Sequence, residues 1–185
     1  MSKVEIKGDM RRRLLAPYLA ILVTSQGKGG KPNIISIGWS MPTSFNPLLV
    51  AISVGTSRYS HKLIEEGGEF VINIPPSSLA GKVKFCGSCS GETTDKFKEA
   101  RLTPLKSEKV KPPRIAECLA HVECKLVDKF STGDHTVFIG EVVAGSADEG
   151  VFNEKLGVID LRNSDFLCHV GGDYFTTPGD MLESV

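Results

Sequence analysis

One short stretch of the sequence places small hydroxylated residues and an arginine directly before a predicted helix. It runs from Ser53 to Lys62 and reads SVGTSRYSHK. The first N–H groups of a helix are unpaired and carry positive potential, so they stabilise an anion such as phosphate. Arg58 can contact two phosphate oxygens at once, and Lys62 can add a point charge. The hydroxyls of Ser57 and Ser60 can donate as well. The alternative is that one of these serines only caps the helix and that Arg58 is solvated.

A second polar stretch, NIISIGWS from Asn33 to Ser40, is predicted to be a strand. Alternation places Ser36, Gly38 and Ser40 on one face of that strand. This small polar face lets a flat ring or a sugar chain approach the backbone. The other face predicts core packing, and Trp39 is interpreted there as a packing residue. The alternative is that the small residues only accommodate a neighbouring element.

A third stretch, CGSCSGETTDKF from Cys86 to Phe97, is rich in glycine and serine and leads into a short predicted helix. We interpret it as a loop whose backbone meets a phosphate together with Lys96. The pair Cys86 and Cys89 also fits a redox motif, but the βαβ context of that motif is missing. A structural zinc site needs a second closely spaced pair of ligands, which the sequence does not offer. We therefore expect no metal here.

The fourth candidate is His135, which follows Gly133 and Asp134 at the predicted end of a hairpin. A histidine there can donate a hydrogen bond or relay a proton beside a bound ring. The alternative is a surface histidine in a turn. Neither a Ser/His/Asp arrangement nor a pair of carboxylates suited to hydrolysis is recognisable.

Six to eight strands, mostly in hairpin order, are predicted to position these residues, with short helices between them. Many strands with few helices indicate a closed or partly open barrel with helical caps. The predicted strands are 18–25, 33–39, 48–54, 69–74, 118–130, 135–144, 157–160 and 166–170. The predicted helices are 10–15 capped by Asp9, 60–66 ended by Gly67 and Gly68, 78–85 and 94–100.

The composition is that of a single globular domain spanning 1–185. Lys and Arg together number 22, as do Asp and Glu, so the charge favours neither nucleic acid nor an anionic membrane as a partner. The longest apolar stretch is about half the length of a membrane span. Five cysteines without framework spacing do not predict a secreted disulfide scaffold, and we expect a cytoplasmic protein.

Taken in order, these segments resemble the flavin-reductase-like family of FMN-binding split barrels. The resemblance covers roughly 15–170, with 171–185 as a tail, and is greatest to archaeal FMN-binding proteins and flavoredoxins. The motifs that carry it are NIISIGWS, FNP at Phe45, SRYSHK at Ser57, FVINIP at Phe70, CSGETTDKF at Cys89 and GDHTVFIGEV at Gly133.

The resemblance implies a mainly β fold with short helices, namely a six-stranded Greek-key barrel with helical caps. It also implies a homodimer that holds FMN near its interface. His135 would lie near the flavin ring, and Tyr174 would lie in a tail over the site. The residues implied to bind the cofactor are Asn33, Ser36, Trp39, Ser40, Ser53, Ser57, Arg58, Tyr59, Ser60, Asn73, Cys89, Ser90, Gly91 and Lys96.

The predicted function is that of an FMN-binding oxidoreductase of the NAD(P)H:flavin reductase type. NAD(P)H or a redox protein would supply electrons, and FMN would carry the chemistry. The alternative is a flavoredoxin-like electron carrier or a flavin store with little NAD(P)H activity. A β-barrel interaction protein without a cofactor is a third interpretation, and the pyridoxamine-phosphate oxidase class fits the motifs less well.

Overall fold

A single antiparallel sheet of seven strands forms the centre of the molecule. The structure, a computed structural model, describes residues 2–179. Within them the seven strands lie in the order β3-β2-β6-β9-β10-β5-β4. The strands are β1 (Tyr18–Leu19), β2 (Ile21–Gln26), β3 (Pro32–Ile37), β4 (Ser40–Phe45), β5 (Leu48–Gly55), β6 (Glu69–Ile74), β7 (Pro104–Leu105), β8 (Arg114–Ile115), β9 (Ala120–Thr132), β10 (His135–Ala147), β11 (Phe152–Asn153), β12 (Val158–Ile159), β13 (Cys168–Gly171) and β14 (Tyr174–Thr176).

Three short α-helices lie between the strands, at the places where the sequence predicts them. They are α1 (Tyr59–Gly67), α2 (Ala80–Ser88) and α3 (Lys96–Glu99), with 3-10 helices at Gly8–Leu15 and Ser77–Leu79. Helix α1 ends as predicted, because Gly68 adopts the left-handed conformation with a φ of 68°. The predicted cap by Asp9 is wrong. The N-terminal 3-10 helix begins one residue before Asp9, and no side chain caps it.

Strand β2 is buried on both faces and therefore separates two apolar cores. Ile21 and Val23 face the inside of the barrel, where they belong to a cluster with Phe70 and Phe138. Leu22 faces the other way, into a cluster that includes side chains from α2 and α3. Burial on both faces explains why Ile21, Leu22 and Val23 are apolar in succession rather than in alternation with polar residues. The barrel core holds the central strands together, and the second core fixes the helices against β2 and β3.

The sheet curls without closing, which confirms the predicted split-barrel fold class. Its two edges are β3 and β4. The backbone N–H of Ser53 on β5 donates to the carbonyl of Trp39 at 3.0 Å, which joins β5 to the segment that leaves β3. The close packing of β10 against β6 depends on Gly140. A Cβ at that position would lie 2.5 Å from the ring of Phe70.

Strand β4 is the seventh strand of the sheet and was not predicted. It contains Pro42, which removes a backbone donor and usually excludes a central strand. The sheet tolerates the proline because β4 is an edge strand, and its pairing with β5 shifts register between Pro42 and Ser44. Its partner β5 follows through the turn at Asn46 and Pro47, across which Phe45 pairs with Leu48.

A second, three-stranded sheet in the order β1-β13-β14 joins the two ends of the described chain. Tyr18 pairs with His169, so the N-terminal segment lies beside the C-terminal hairpin. The last predicted strand begins later than expected, at Cys168. Within residues 2–179, no helix combines the length and the apolar character needed to cross a bilayer.

Candidate functional site

Two adjoining depressions lie along the β3 edge of the split barrel. The larger, which we call the large cavity, has a volume of about 870 Å³ and is bounded by β3, the end of β5, the β9–β10 turn and the N-terminal 3-10 helix. The smaller, which we call the small pocket, has a volume of about 110 Å³ and lies between the start of α1, the end of α2 and the loop that follows it. Ile35 and Arg58 line both, so the two depressions form one continuous site.

Most residues that the sequence singled out come together in this site, although 102 positions separate Asn33 from His135 along the chain. Those that line the large cavity are Ser36, Trp39, Ser53, Arg58 and His135. Those that line the small pocket are Asn33, Ser57, Arg58, Tyr59, Ser60, Cys89, Ser90, Gly91 and Lys96.

The ammonium group of Lys96 is the main cation of the small pocket. The residue is 5% exposed, and its Nζ donates to the carbonyl oxygens of Ile34 at 2.8 Å and Cys86 at 2.7 Å. Burial lowers the pKa of Lys96, and the nearby Arg58 lowers it further. An ammonium group has three donors, so one remains for a ligand in the pocket. A buried cation that is bound only by neutral carbonyls is stabilised by an incoming anion.

The start of α1 contributes to the small pocket without a side-chain cap. Arg58 occupies the N-cap position, and no side-chain hydrogen bond caps the helix. The interpretation of Ser57 or Ser60 as a simple cap is therefore wrong. Ser60 is buried and instead accepts a hydrogen bond of 2.7 Å from Nδ2 of Asn33. The uncapped N–H groups at the start of a helix favour an anion at this end of the pocket.

Gly91 lets the loop after α2 lie directly against β3. A Cβ at this position would lie 1.8 Å from Oδ1 of Asn33, a distance that real atoms do not reach. Neighbouring Cys86 is fully buried, and burial raises the pKa of its thiol to about 11. A thiol in this state is a poor nucleophile at neutral pH, which weakens the redox interpretation of the Cys86–Cys89 pair. The loop is therefore best described as one wall of the small pocket.

His135 and Trp39 face each other in the large cavity. Their ring centroids lie 5.0 Å apart with the planes tilted by 41°. Nδ1 of His135 lies 2.7 Å from the carboxylate of Asp134, so Nδ1–H donates to it and Nε2 is left as an acceptor in the neutral ring. This hydrogen bond lowers the pKa of Asp134. The histidine is thus held in one orientation at the cavity wall.

The interpretation of Trp39 as a core residue is wrong. Its side chain is 38% exposed and lines the large cavity. Strand β3 ends at Ile37, so the alternation of faces does not extend to position 39. Because β3 is an edge strand, both of its faces border the site, and Ile35 and Ile37 line the cavity together with Ser36.

Three predicted residues do not reach either depression. Ser40 lies on β4 and lines an apolar groove of about 250 Å³, which adjoins the large cavity and shares Trp39 and Ser53 with it. Asn73 is buried between strands, where Nδ2 donates to the carbonyl of Leu22 at 2.9 Å and Oδ1 accepts from the N–H of Ile115 at 2.8 Å. Tyr174 is 76% exposed on β14 and lines neither. Lys62, which the sequence offered as a further cation for the phosphate, also lines neither depression and pairs with Glu66 on the outer surface of α1. The part of the predicted tail beyond position 179 lies outside the described residues.

Several residues of the large cavity were missed by reasoning from the sequence. The N-terminal 3-10 helix contributes Asp9, Arg12 and Arg13, and β13 contributes His169. The basic run MRRR is visible in the sequence, but nothing local connects it to a site more than 120 residues later. The pairing of β1 with β13 provides that connection.

An open barrel with a cationic pocket beside a larger cavity is suited to a cofactor that carries an anionic group, and this places the protein in a class of cofactor-binding barrels. The comparison with known sequences places the chain within that class: the flavin reductase like domain matches residues 10–176. The chain belongs to this family and is a flavin-binding protein, either an oxidoreductase or a flavoredoxin-like carrier. This confirms the family that the sequence motifs indicated.

Individual relatives agree with this assignment. The chain is 39% identical over 148 residues to an uncharacterised protein of Archaeoglobus fulgidus, covering 80% of this chain and 81% of the relative. It is 29% identical over 129 residues to a flavin reductase (NADH) of Kitasatospora aureofaciens, covering 70% of this chain and 65% of that protein. Among solved structures, it is similar to the flavoredoxin of Desulfovibrio vulgaris (Miyazaki F), with a TM-score of 0.85, 29% identity and 97% of each chain covered.

Proposed function

We propose that the flavin held by this chain is FMN, with its phosphate in the small pocket and its ring in the large cavity. The observation that carries this proposal is the buried ammonium of Lys96, which has a donor to spare in a pocket shared with Arg58. A volume of about 110 Å³ suits one phosphate group and leaves little room for a nucleotide beyond it. A flavin that ends in a single phosphate therefore fits better than a dinucleotide.

The residues of the site serve two functions, since some bind the phosphate and others border the ring. Arg58 and Lys96 neutralise the phosphate, and the hydroxyls of Ser57 and Ser90 and the start of α1 complete its hydrogen bonds. In the large cavity, Trp39 and His135 border the ring. Nε2 of His135 accepts a hydrogen bond or a proton there, because Asp134 fixes the proton on Nδ1. When bound, FMN supplies the hydride and electron chemistry, and the chain needs no nucleophile of its own.

We propose further that the protein is an enzyme that accepts electrons from NAD(P)H. The large cavity, with its volume of about 870 Å³, is near the upper end of the usual range for a ligand site and leaves room for a donor beside a ring. The similarity to a flavin reductase (NADH) supports this activity. The similarity to a flavoredoxin supports the second candidate, an electron carrier or flavin store that receives electrons from a redox protein.

We also propose that the protein is a cytoplasmic homodimer. The edge strand β4 and the turn that follows it expose apolar side chains, namely Met41 at 63%, Phe45 at 98% and Leu48 at 46%. Covering this surface with a second copy would remove it from water. All five cysteines are free thiols, which is consistent with a reducing compartment.

An anaerobic titration tests the cofactor and the function together. The purified protein is loaded with FMN, FAD or riboflavin, and the affinities are compared by flavin fluorescence. The FMN-loaded protein is then titrated with NADH, NADPH and a chemical reductant. Reduction by a pyridine nucleotide supports the reductase, whereas reduction by the chemical reductant alone supports the carrier. Equal affinity for FMN and riboflavin contradicts a phosphate site in the small pocket.

A further inference from the structure

The N-terminal 3-10 helix brings two arginines to the large cavity. Arg12 and Arg13 both line it, and neither lines the small pocket. Arg13 lies against the turn of the C-terminal hairpin, where a Cβ at Gly171 would be 2.6 Å from its Nη1. The hydroxyl of Tyr18 donates to the carbonyl of Arg12 at 2.6 Å, which fixes the end of the helix beside the cavity. The guanidinium group of Arg13 thus lies against the C-terminal hairpin, and the backbone of Arg12 is fixed by Tyr18.

These arginines are not used in ion pairs within residues 2–179. The ion pairs of that part of the chain involve other cations. Two carboxylates also line the large cavity, but that of Asp134 accepts from His135, and Asp9 forms no ion pair with either arginine. The guanidinium donors of Arg12 and Arg13 are therefore available to a ligand that carries negative charge.

The phosphate of FMN does not account for these charges. In the proposed arrangement it occupies the small pocket, where Arg58 and Lys96 neutralise it. The large cavity then holds the uncharged part of the flavin and a second molecule. Guanidinium groups match the oxygens of carboxylate and of phosphate, so the second molecule carries an anionic group. The electron donor proposed above carries phosphate groups and meets this requirement.

We infer that Arg12 and Arg13 form a second anion subsite, which binds the phosphate groups of the electron donor over the large cavity. The donor is a phosphate-bearing dihydronicotinamide. The protein recognises it by its phosphate groups as well as by its nicotinamide ring. The assignment of the ligand as a donor rests on the proposed reductase function. The existence of the anion subsite does not.

Binding of inorganic pyrophosphate to the FMN-loaded protein tests the subsite without turnover. With FMN bound, the small pocket is filled, and isothermal titration calorimetry detects pyrophosphate at the second subsite. The variant Arg12→Gln/Arg13→Gln is expected to weaken this binding about tenfold or more, because it removes the charged hydrogen bonds of both guanidinium groups. Arg11→Gln is the matched control, because Arg11 lies on the same helix outside both depressions and bonds only to the carbonyl of Ile6. Unchanged binding in the double variant overturns the inference.

Steady-state kinetics then tests the role of the subsite in donor choice. The double variant is expected to raise KM for NADH about tenfold, and to leave reduction by the uncharged donor 1-methyl-1,4-dihydronicotinamide unchanged. Equal losses with both donors, at full FMN occupancy and with a normal circular dichroism spectrum, contradict a role in phosphate binding. If neither donor reduces wild-type protein, the reductase proposal fails, and the pyrophosphate titration still decides whether the anion subsite exists.

Discussion

Asn33 on β3 donates a buried hydrogen bond of 2.7 Å to the hydroxyl of Ser60 in the first turn of α1. The same Asn33 side chain lies in contact with the backbone of Gly91, so three segments meet at one amide group. These segments form three walls of the small pocket. The pocket therefore depends on a tertiary contact rather than on any one of its segments.

Replacing Gly91 by alanine is expected to open this contact. The added Cβ would overlap Oδ1 of Asn33, so either the loop or the amide must move, at a cost of about 1–3 kcal/mol. We expect a lower free energy of unfolding by chemical denaturation and a weaker affinity for FMN. Gly81→Ala is the control, since a Cβ at Gly81 on α2 meets no atom within 4 Å. Normal FMN affinity in Gly91→Ala would show that the loop does not border the phosphate.

Arg58→Ala is expected to weaken FMN binding by about 1–3 kcal/mol, the usual value of a charged hydrogen bond to phosphate. Affinity is measured by fluorescence titration, with riboflavin as a second ligand. Lys62→Ala removes a nearby cation that faces solvent and pairs with Glu66, so its FMN affinity should equal that of the wild type. A loss of affinity for FMN that is no larger than the loss for riboflavin would place the phosphate elsewhere.

Trp39 is the only tryptophan in the sequence, so the intrinsic tryptophan emission reports on one side chain, and that side chain lines the large cavity. We expect FMN and riboflavin both to quench this emission, because each places a flavin ring beside the indole. Inorganic phosphate should not quench the emission, because it carries no flavin ring to place beside the indole. Emission that is insensitive to saturating FMN would mean that the ring binds outside the large cavity.

The affinity for FMN should fall at alkaline pH because of Lys96. Burial lowers the pKa of this ammonium below its usual value of 10.5, so its charge is lost earlier than that of an exposed lysine. The measured quantity is the ratio of the FMN and riboflavin dissociation constants, in which ionisation of the shared ring cancels. This ratio should rise with pH in the wild type and stay flat in Lys96→Met, which has no titrating group there. A flat ratio in the wild type would exclude Lys96 as a phosphate ligand.

His121 predicts a pH dependence of stability that is independent of the cofactor. Burial lowers the pKa of His121 below its usual value of 6.5, while its Nε2 lies 2.9 Å from the carbonyl of Ile115. Below pH 6.5 the unfolded chain therefore binds a proton that the folded chain does not, and the free energy of unfolding falls as the pH falls. Urea denaturation at pH 7.5 and 5.5 should show a smaller loss for His121→Gln than for the wild type. An equal loss of unfolding free energy in the variant and the wild type would show that protonation of carboxylates, and not of His121, destabilises the protein in acid.

Local features of the sequence were sufficient to predict much of the framework. Strand β6 has the predicted bounds, Glu69–Ile74, because an apolar run there is followed directly by two prolines. Helix α1 ends at a glycine that tolerates the left-handed conformation. These signals lie within a few residues of the element that they define. The ordered motifs also identified the family, and most of the residues that they singled out line the two depressions.

Only the tertiary structure decided which residues border the large cavity and which are buried elsewhere. Asn73 lies near the end of β6, where a cofactor-binding residue was predicted. Its side-chain amide instead joins β6 to β8, because Oδ1 accepts a hydrogen bond from the N–H of Ile115. Arg12 and Arg13 have no local pattern typical of a binding site, and they reach the cavity because β1 pairs with β13. The physical reason is that periodicity and turn chemistry act between neighbours along the chain. The site, in contrast, is formed at the edge of a sheet by segments that meet only after folding.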